Sequence, residues 1–241
     1  MEEYVQAAIG RGLRKIIFLE HLEEGIVSPI TTWLSEADFD VLFAEGERLK
    51  KKYAHCIDIG IGVECGFNPD AVNSLGARLA QRSWNQVGIS CHYLRIPGLD
   101  RHLNLFSRRK EHIELALKIG SKELLARYFE TLTEAIDQLS TGTLLCHIDG
   151  ALRHFPGITL TDGHMMKIEK LLERVKTKGM AIEVNTSGIT IRQQPFPAMS
   201  ILAKIKAYAI PLVLGSDAHR PEDVGKHFAE ACNFILSTPS S

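Results

Sequence analysis

Side chains able to bind metal or move protons close several short apolar runs of this chain. Glu20-His21 follows Lys15–Leu19, Glu64 follows Ile57–Val63, and His92 ends Gln86–His92. His147-x-Asp149 closes Thr143–Ile148, and Asp217-x-His219 follows Pro211–Ser216. Alternation along a strand puts residues i and i+2 on one face, so His147 with Asp149, and Asp217 with His219, are expected to point into a common mouth. A lone histidine at a strand end is ordinarily a hydrogen-bonded structural residue. Runs that repeatedly end this way call for another cause, and a metal site is the simplest. Imidazole nitrogens and carboxylate oxygens, without thiolates, suit divalent Zn, Mn or Fe.

The elements that must position these residues are legible as alternating patterns. Strands are expected at the runs just named and at Met180–Asn185. Helical periodicity fills Ala37–Lys52, Lys122–Leu139, Thr161–Lys178 and Pro197–Ala207. Strand alternating with helix implies a parallel sheet, and barrel enzymes place their sites at the C-terminal ends of such strands. Helices are also expected at Glu2–Leu13 and about Pro221–Leu236, with Pro221 at the first helical position. The pattern thus begins on a helix, and the strand that would open a closed barrel is missing. Arg95–Lys110 reads as a long polar loop acting as a lid.

At 241 residues and 45% apolar content the chain fits one α/β barrel domain over 1–241. Lys and Arg total 28 against 29 Asp and Glu, which argues against a nucleic-acid partner. No apolar run is long enough to span a membrane. Cys56, Cys65, Cys91, Cys146 and Cys232 are scattered, without a CxxC pair, as in a reduced cytoplasmic protein. Surface placement is expected for His55, His102, His112, His154, His164 and His227. Glu183 and Asn185 share a strand face, where buried hydrogen bonding is the expected duty.

Together these residues resemble the polymerase-and-histidinol-phosphatase (PHP) family. Ile17-Phe18-Leu19-Glu20-His21-Leu22, Gly62-Val63-Glu64, Ser90-Cys91-His92 and Cys146-His147-Ile148-Asp149 look like its motifs, in its order. Glu183-Val184-Asn185-Thr186-Ser187-Gly188 and Gly215-Ser216-Asp217-Ala218-His219-Arg220-Pro221-Glu222-Asp223-Val224-Gly225 follow, and the last resembles the histidinol-phosphate phosphatase branch. The resemblance implies a distorted (β/α)7 TIM-like barrel of the PHP type with its first strand missing. It implies up to three divalent ions: Glu64 bridging two, His92 and His147 completing the second, Asp217 serving the first, and His21 with His219 holding the third. The family's Asp-x-His-x-His strand is absent here, so fewer ions and poor turnover are expected. Glu20 stands where the family often has Asp.

The chemistry so implied is metal-dependent hydrolysis of a small phosphate monoester, with L-histidinol phosphate as the substrate of that branch. Phosphate needs cationic donors, and Arg153, Arg192 and Arg220 each follow a strand end. Arg192 reads equally well as a solvated loop charge. Asp149 either orients a leaving group or a ligand, or caps the helix after it. Two other readings stay open: a degenerate barrel that binds metal or a phosphorylated ligand without catalysis, and a Met1 that is internal to a longer protein. The missing strand also implies exposed sheet edges, covered by a homodimer contact or by a shifted Glu2–Leu13 helix.

Overall fold

The computed structural model describes residues 1–154 and 159–239. Six parallel strands curl into an open half-barrel. In chain order the strands are β1 (Lys15–Glu23), β2 (Asp58–Gly66), β3 (Val87–Ser90), β4 (Tyr93–Leu94), β5 (Leu103–Asn104), β6 (Leu144–Leu145), β7 (Ala181–Asn185) and β8 (Leu212–Gly215). The main sheet runs β1-β2-β3-β6-β7-β8, while β4 and β5 pair antiparallel beside it. β1 and β2 match over their full length, from Lys15 opposite Asp58 to Glu23 opposite Gly66.

The helices are α1 (Glu2–Gly10), α2 (Glu36–Lys52), α3 (Val72–Leu79), α4 (Lys110–Ile119), α5 (Ser121–Gln138), α6 (Asp162–Thr177), α7 (Ser187–Arg192), α8 (Met199–Ala207) and α9 (Phe228–Ser237). Helix α2 starts at a Ser35/Asp38 capping box and buries Phe39, Leu42 and Leu49. It approaches β2 so closely at Gly46 that a Cβ there would lie 2.6 Å from Ile61. Most buried apolar residues from strands and helices form one core running from Val5 to Val224, and Val184, Ile189, Leu202 and Ala231 form a smaller second cluster.

β1 and β8 are the terminal strands, so the sheet stays open between them. Helix α1 packs on β1 through Tyr4 and Phe18, and Arg11 donates to the Glu222 carbonyl at 2.5 Å. The helix and the residue after it thus reach from β1 to the Pro221–Asp223 turn beyond β8.

Several expectations need correction. The helix expected over Pro221–Leu236 is split, because Gly225 (φ 66°) and His227 (φ 61°) turn the chain left-handed between a short turn at Pro221–Asp223 and α9. Residues Arg95–Lys110 form a packed roof instead of a polar lid: Leu103 and Leu105 are buried, and Leu105 N–H donates to the His92 carbonyl at 2.9 Å. His102 and His164 are buried, not on the surface, because each ring serves the backbone. His102 Nδ1 accepts from Val27 N–H, and His164 Nδ1 accepts from Thr161 N–H in a capping box. Helices α3 and α4 had no counterpart in the sequence reading.

Candidate metal centre and active site

Strand register builds the first half of the site. On β1 the inward residues are Leu19, His21 and Glu23, and opposite them on β2 stand Gly62, Glu64 and Gly66. Glu64 is the hub. Its Oε1 lies 2.8 Å from His147 Nε2 and 3.0 Å from His92 Nε2, and its Oε2 lies 3.5 Å from His21 Nε2. Donor atoms of His21, Glu64 and His92 all fall within 4.8 Å of one another. The His21 and His92 rings stack at 4.8 Å, and Phe106 packs against both His92 and His147 at 4.9 Å.

Burial alone would push the Glu64 carboxyl up, but His92, His147 and His21 around it hold it well below the usual carboxylate range. Burial likewise opposes charge on His92, yet Glu64 and the hydrogen bonds that the ring donates to the two carboxylates raise it well above an ordinary histidine. Nitrogen and oxygen donors that converge on one point, with no thiolate among them, suit a divalent ion of the Zn, Mn or Fe kind.

Behind these residues sit two more carboxyls. Glu23 is buried, with Oε1 2.7 Å from His92 Nδ1. The sequence reading missed it, because the apolar run stops at Leu19 while the strand continues to Glu23. Glu183 accepts from His147 N–H at 2.9 Å and from Asn185, the buried hydrogen-bonding duty expected of that pair. Burial pushes Glu183 up to about 7 against the pull of His147.

The second half is looser. Asp217 lies past the end of β8 with φ 49°, and its Oδ2 accepts from Arg153 at 2.8 Å. Burial works against the charge of Asp217, and Arg153, His147 and His219 together outweigh it, keeping the carboxyl low. His219 donates from Nδ1 to the Asp217 carbonyl at 2.9 Å, and its side chain is 75% exposed. Neither residue reaches the Glu64 cluster, although both line the same cavity.

Asp149 and Arg192, unlike Arg153 and Arg220, are not in the wall of the cavity over the cluster. β6 ends at Leu145, and His147 has φ 20°, so strand alternation no longer governs His147 and Asp149 and they diverge. Asp149 is fully buried. It accepts from Ala198 N–H at 3.0 Å, at the start of α8, and its Oδ2 lies 3.6 Å from Arg192 Nη1. Arg192 in turn stacks on Phe196 at 4.7 Å.

A cavity of about 580 Å³ opens over the cluster, with Glu64, His92, His147 and Asp217 in its wall. Arg108, Arg153, Arg220 and Lys226 supply its cations. Among the described residues Arg153 Nε is buried without a hydrogen-bond partner, and its guanidinium lies over Phe106 and Phe196. Arg108 and Lys226 gave no sequence signal beyond their charge. A second space of about 600 Å³ lies between β1 and β8 and shares His21, Glu64 and Asp217 with the first.

The chain is 26% identical over 247 residues to a probable histidinol-phosphatase of Deinococcus radiodurans, covering 97% of this chain and 85% of that protein. It is 24% identical over 252 residues to the histidinol-phosphatase of Bacillus subtilis, covering 96% and 92%. A solved histidinol phosphate phosphatase of Lactococcus lactis, complexed with zinc, L-histidinol and phosphate, superposes with a TM-score of 0.79 at 18% identity. That match covers 98% of this chain and 86% of the Lactococcus protein. A PHP domain profile matches residues 1–187, from α1 through the Glu64 cluster to the start of α7, and the chain belongs to the PHP domain family.

Proposed function

We propose that this chain is a metal-dependent phosphatase acting on a small phosphate monoester, with L-histidinol phosphate as the first substrate to test. The observation that carries this is Glu64 ringed by His21, His92 and His147 beneath a cavity edged with cations. Its curated relatives bear the histidinol-phosphatase name over nearly their whole length.

His21, Glu64, His92 and His147 would hold the ion, with Asp217 as the residue to serve a neighbouring one. A divalent ion supplies Lewis acidity toward a phosphoryl oxygen and toward water. The protein's own groups do the rest. Arg153, in the cavity wall, offers its guanidinium to a phosphate oxygen, and Phe106 and Phe196 fix its plane. Arg108, Arg220 and Lys226 draw the dianion in from the rim. Glu183 anchors His147 through its backbone.

Among the described residues no helix is long and apolar enough to cross a membrane. All five cysteines are free, in keeping with a reducing cytoplasm. A homodimer contact along the β1 and β8 edges would cover them where α1 does not, and sedimentation at several concentrations tests it. The function itself is tested by phosphate release from L-histidinol phosphate and a panel of other monoesters, after loading with Zn, Mn or Fe. Turnover that chelation abolishes is expected. Metal uptake with no turnover of any ester would instead establish a barrel that only binds.

A further inference from the structure

Glu23 stands directly opposite Gly66 across the β1–β2 ladder. Its carboxyl lies flat over that glycine: a Cβ at position 66 would sit 2.0 to 2.1 Å from the Glu23 carboxyl atoms. The side chain is 1% exposed and, among the described residues, has no lysine or arginine partner. Its Oε1 meets His92 Nδ1 at 2.7 Å, while Oε2 has no hydrogen-bond partner among the described residues. A buried carboxyl is costly, and a leucine of similar size would fill the space without that cost. What leucine could not do is accept a hydrogen bond from His92 Nδ1–H.

His92 has two nitrogens with different surroundings. Nδ1 faces Glu23, and Nε2 faces Glu64 at 3.0 Å. With Nδ1–H donating to Glu23, the Nε2 lone pair of the neutral ring points toward the centre of the cluster. A carboxyl behind a ligating histidine fixes its tautomer and orientation and raises its basicity.

We infer that Glu23 is a positioning residue that holds His92 in its Nδ1-protonated form with Nε2 turned to the metal centre, and that Gly66 is glycine to make room for it. This rests on the metal-centre reading of Glu64 and His92. The pair is a unit: residue 66 touches no candidate ligand, yet it acts on His92 through Glu23.

Zinc affinity, measured by competition with a chromophoric chelator, tests the inference together with ¹⁵N spectra of His92 in the zinc-loaded protein. Glu23→Leu should weaken zinc binding by roughly 10- to 100-fold and mix the two nitrogens of His92 as ligands. Glu23→Gln, which can still accept from Nδ1–H, should lose less and keep the tautomer, so it serves if the leucine variant folds poorly. Gly66→Ala should weaken zinc as well, but should add no further loss in a Glu23→Ala background, where the carboxyl is gone. Wild-type zinc binding with an unchanged affinity and His92 tautomer in Glu23→Leu and Glu23→Gln overturns the positioning role. Failure of the wild type to bind zinc at all overturns the metal centre and this inference with it.

Discussion

The two sides of the open barrel hold their polar residues by different means. β1 and β2 are nine residues each and paired throughout, so register alone places His21 beside Glu64 and Glu23 beside Gly66. β6 and β8 have two and four residues, and their site groups lie beyond the strands, His147 at φ 20° and Asp217 at φ 49°. There the geometry depends on partners: Glu183 for His147, Arg153 for Asp217. A paired strand fixes ligand directions at no extra cost, whereas a strand end needs an ion pair or hydrogen bond to do the same. The β1–β2 side is the preorganised half, and substitutions there should cost most.

Glu64→Ala should have the largest effect. It removes the carboxylate that three imidazoles share, so metal affinity should fall by more than the roughly 10- to 100-fold that outer partners cost, and turnover should vanish. Titration calorimetry with zinc reads this directly. Binding within tenfold of wild type would show that the cluster is not the centre. Arg153→Met comes next. It deletes the buried donor over Phe106 and Phe196 and should lower kcat/KM by about 100- to 1000-fold, the scale of a lost oxyanion donor. If only KM moved, Arg153 would be steering substrate and not stabilising developing charge.

Arg192→Ala separates structure from chemistry. It strips Asp149, fully buried, of its cation, and breaking such a pair ordinarily costs about 3–5 kcal/mol. Burial already pushes the Asp149 carboxyl up against the pull of Arg192, so it can take up a proton and the loss should be nearer 2 kcal/mol. Urea unfolding should show the loss while kcat stays within a factor of about two; a large fall in kcat at full stability would restore Arg192 to the catalytic set. His219→Ala, on the exposed rim, should change zinc affinity by less than about tenfold, well below His147→Ala. Equal losses would mean that the two sides of the barrel do not differ.

The strand-end candidates could be located in advance because a polar residue interrupts each apolar run where its strand reaches the cavity, as Glu64 does after Ile57–Val63. Glu23 escaped that logic: a charged residue four places beyond the apolar run that ends at Leu19, next to a second acid, looks like loop, and only pairing with β2 draws it inside. His147 and Asp149 failed in the opposite direction. Their spacing promised one face, but β6 holds only Leu144 and Leu145, and alternation has no force past the last ladder bond. The tail after Asp217 fits a helix by composition, and the left-handed residues at Gly225 and His227 divide it for reasons of tertiary packing, with Leu13 of the N-terminal segment seated against Gly225. The roof over Arg95–Lys110 was hidden because two buried leucines stand among many polar neighbours.

That roof carries the smallest prediction. His102 and Val27 bond reciprocally: Val27 N–H donates to His102 Nδ1 at 3.0 Å, and His102 N–H donates to the Val27 carbonyl at 3.0 Å. The ring must therefore be neutral with Nδ1 bare. Burial first, and then the charge of Arg95, push its pKa below the ordinary 6.5. The sign follows: a histidine with a depressed folded value contributes stability that is complete above about 6.5 and is lost as pH falls through the folded value. The roof should then loosen in mild acid, while the Glu64 cluster is held by groups that histidine protonation favours. Amide exchange of Val27, corrected for its intrinsic pH dependence, should speed up by a few fold as pH drops below about 6. His102→Gln keeps an acceptor that does not titrate and should flatten the response. The same slope in wild type and His102→Gln would assign the loosening to another group, and no slope in either would leave the roof indifferent to pH.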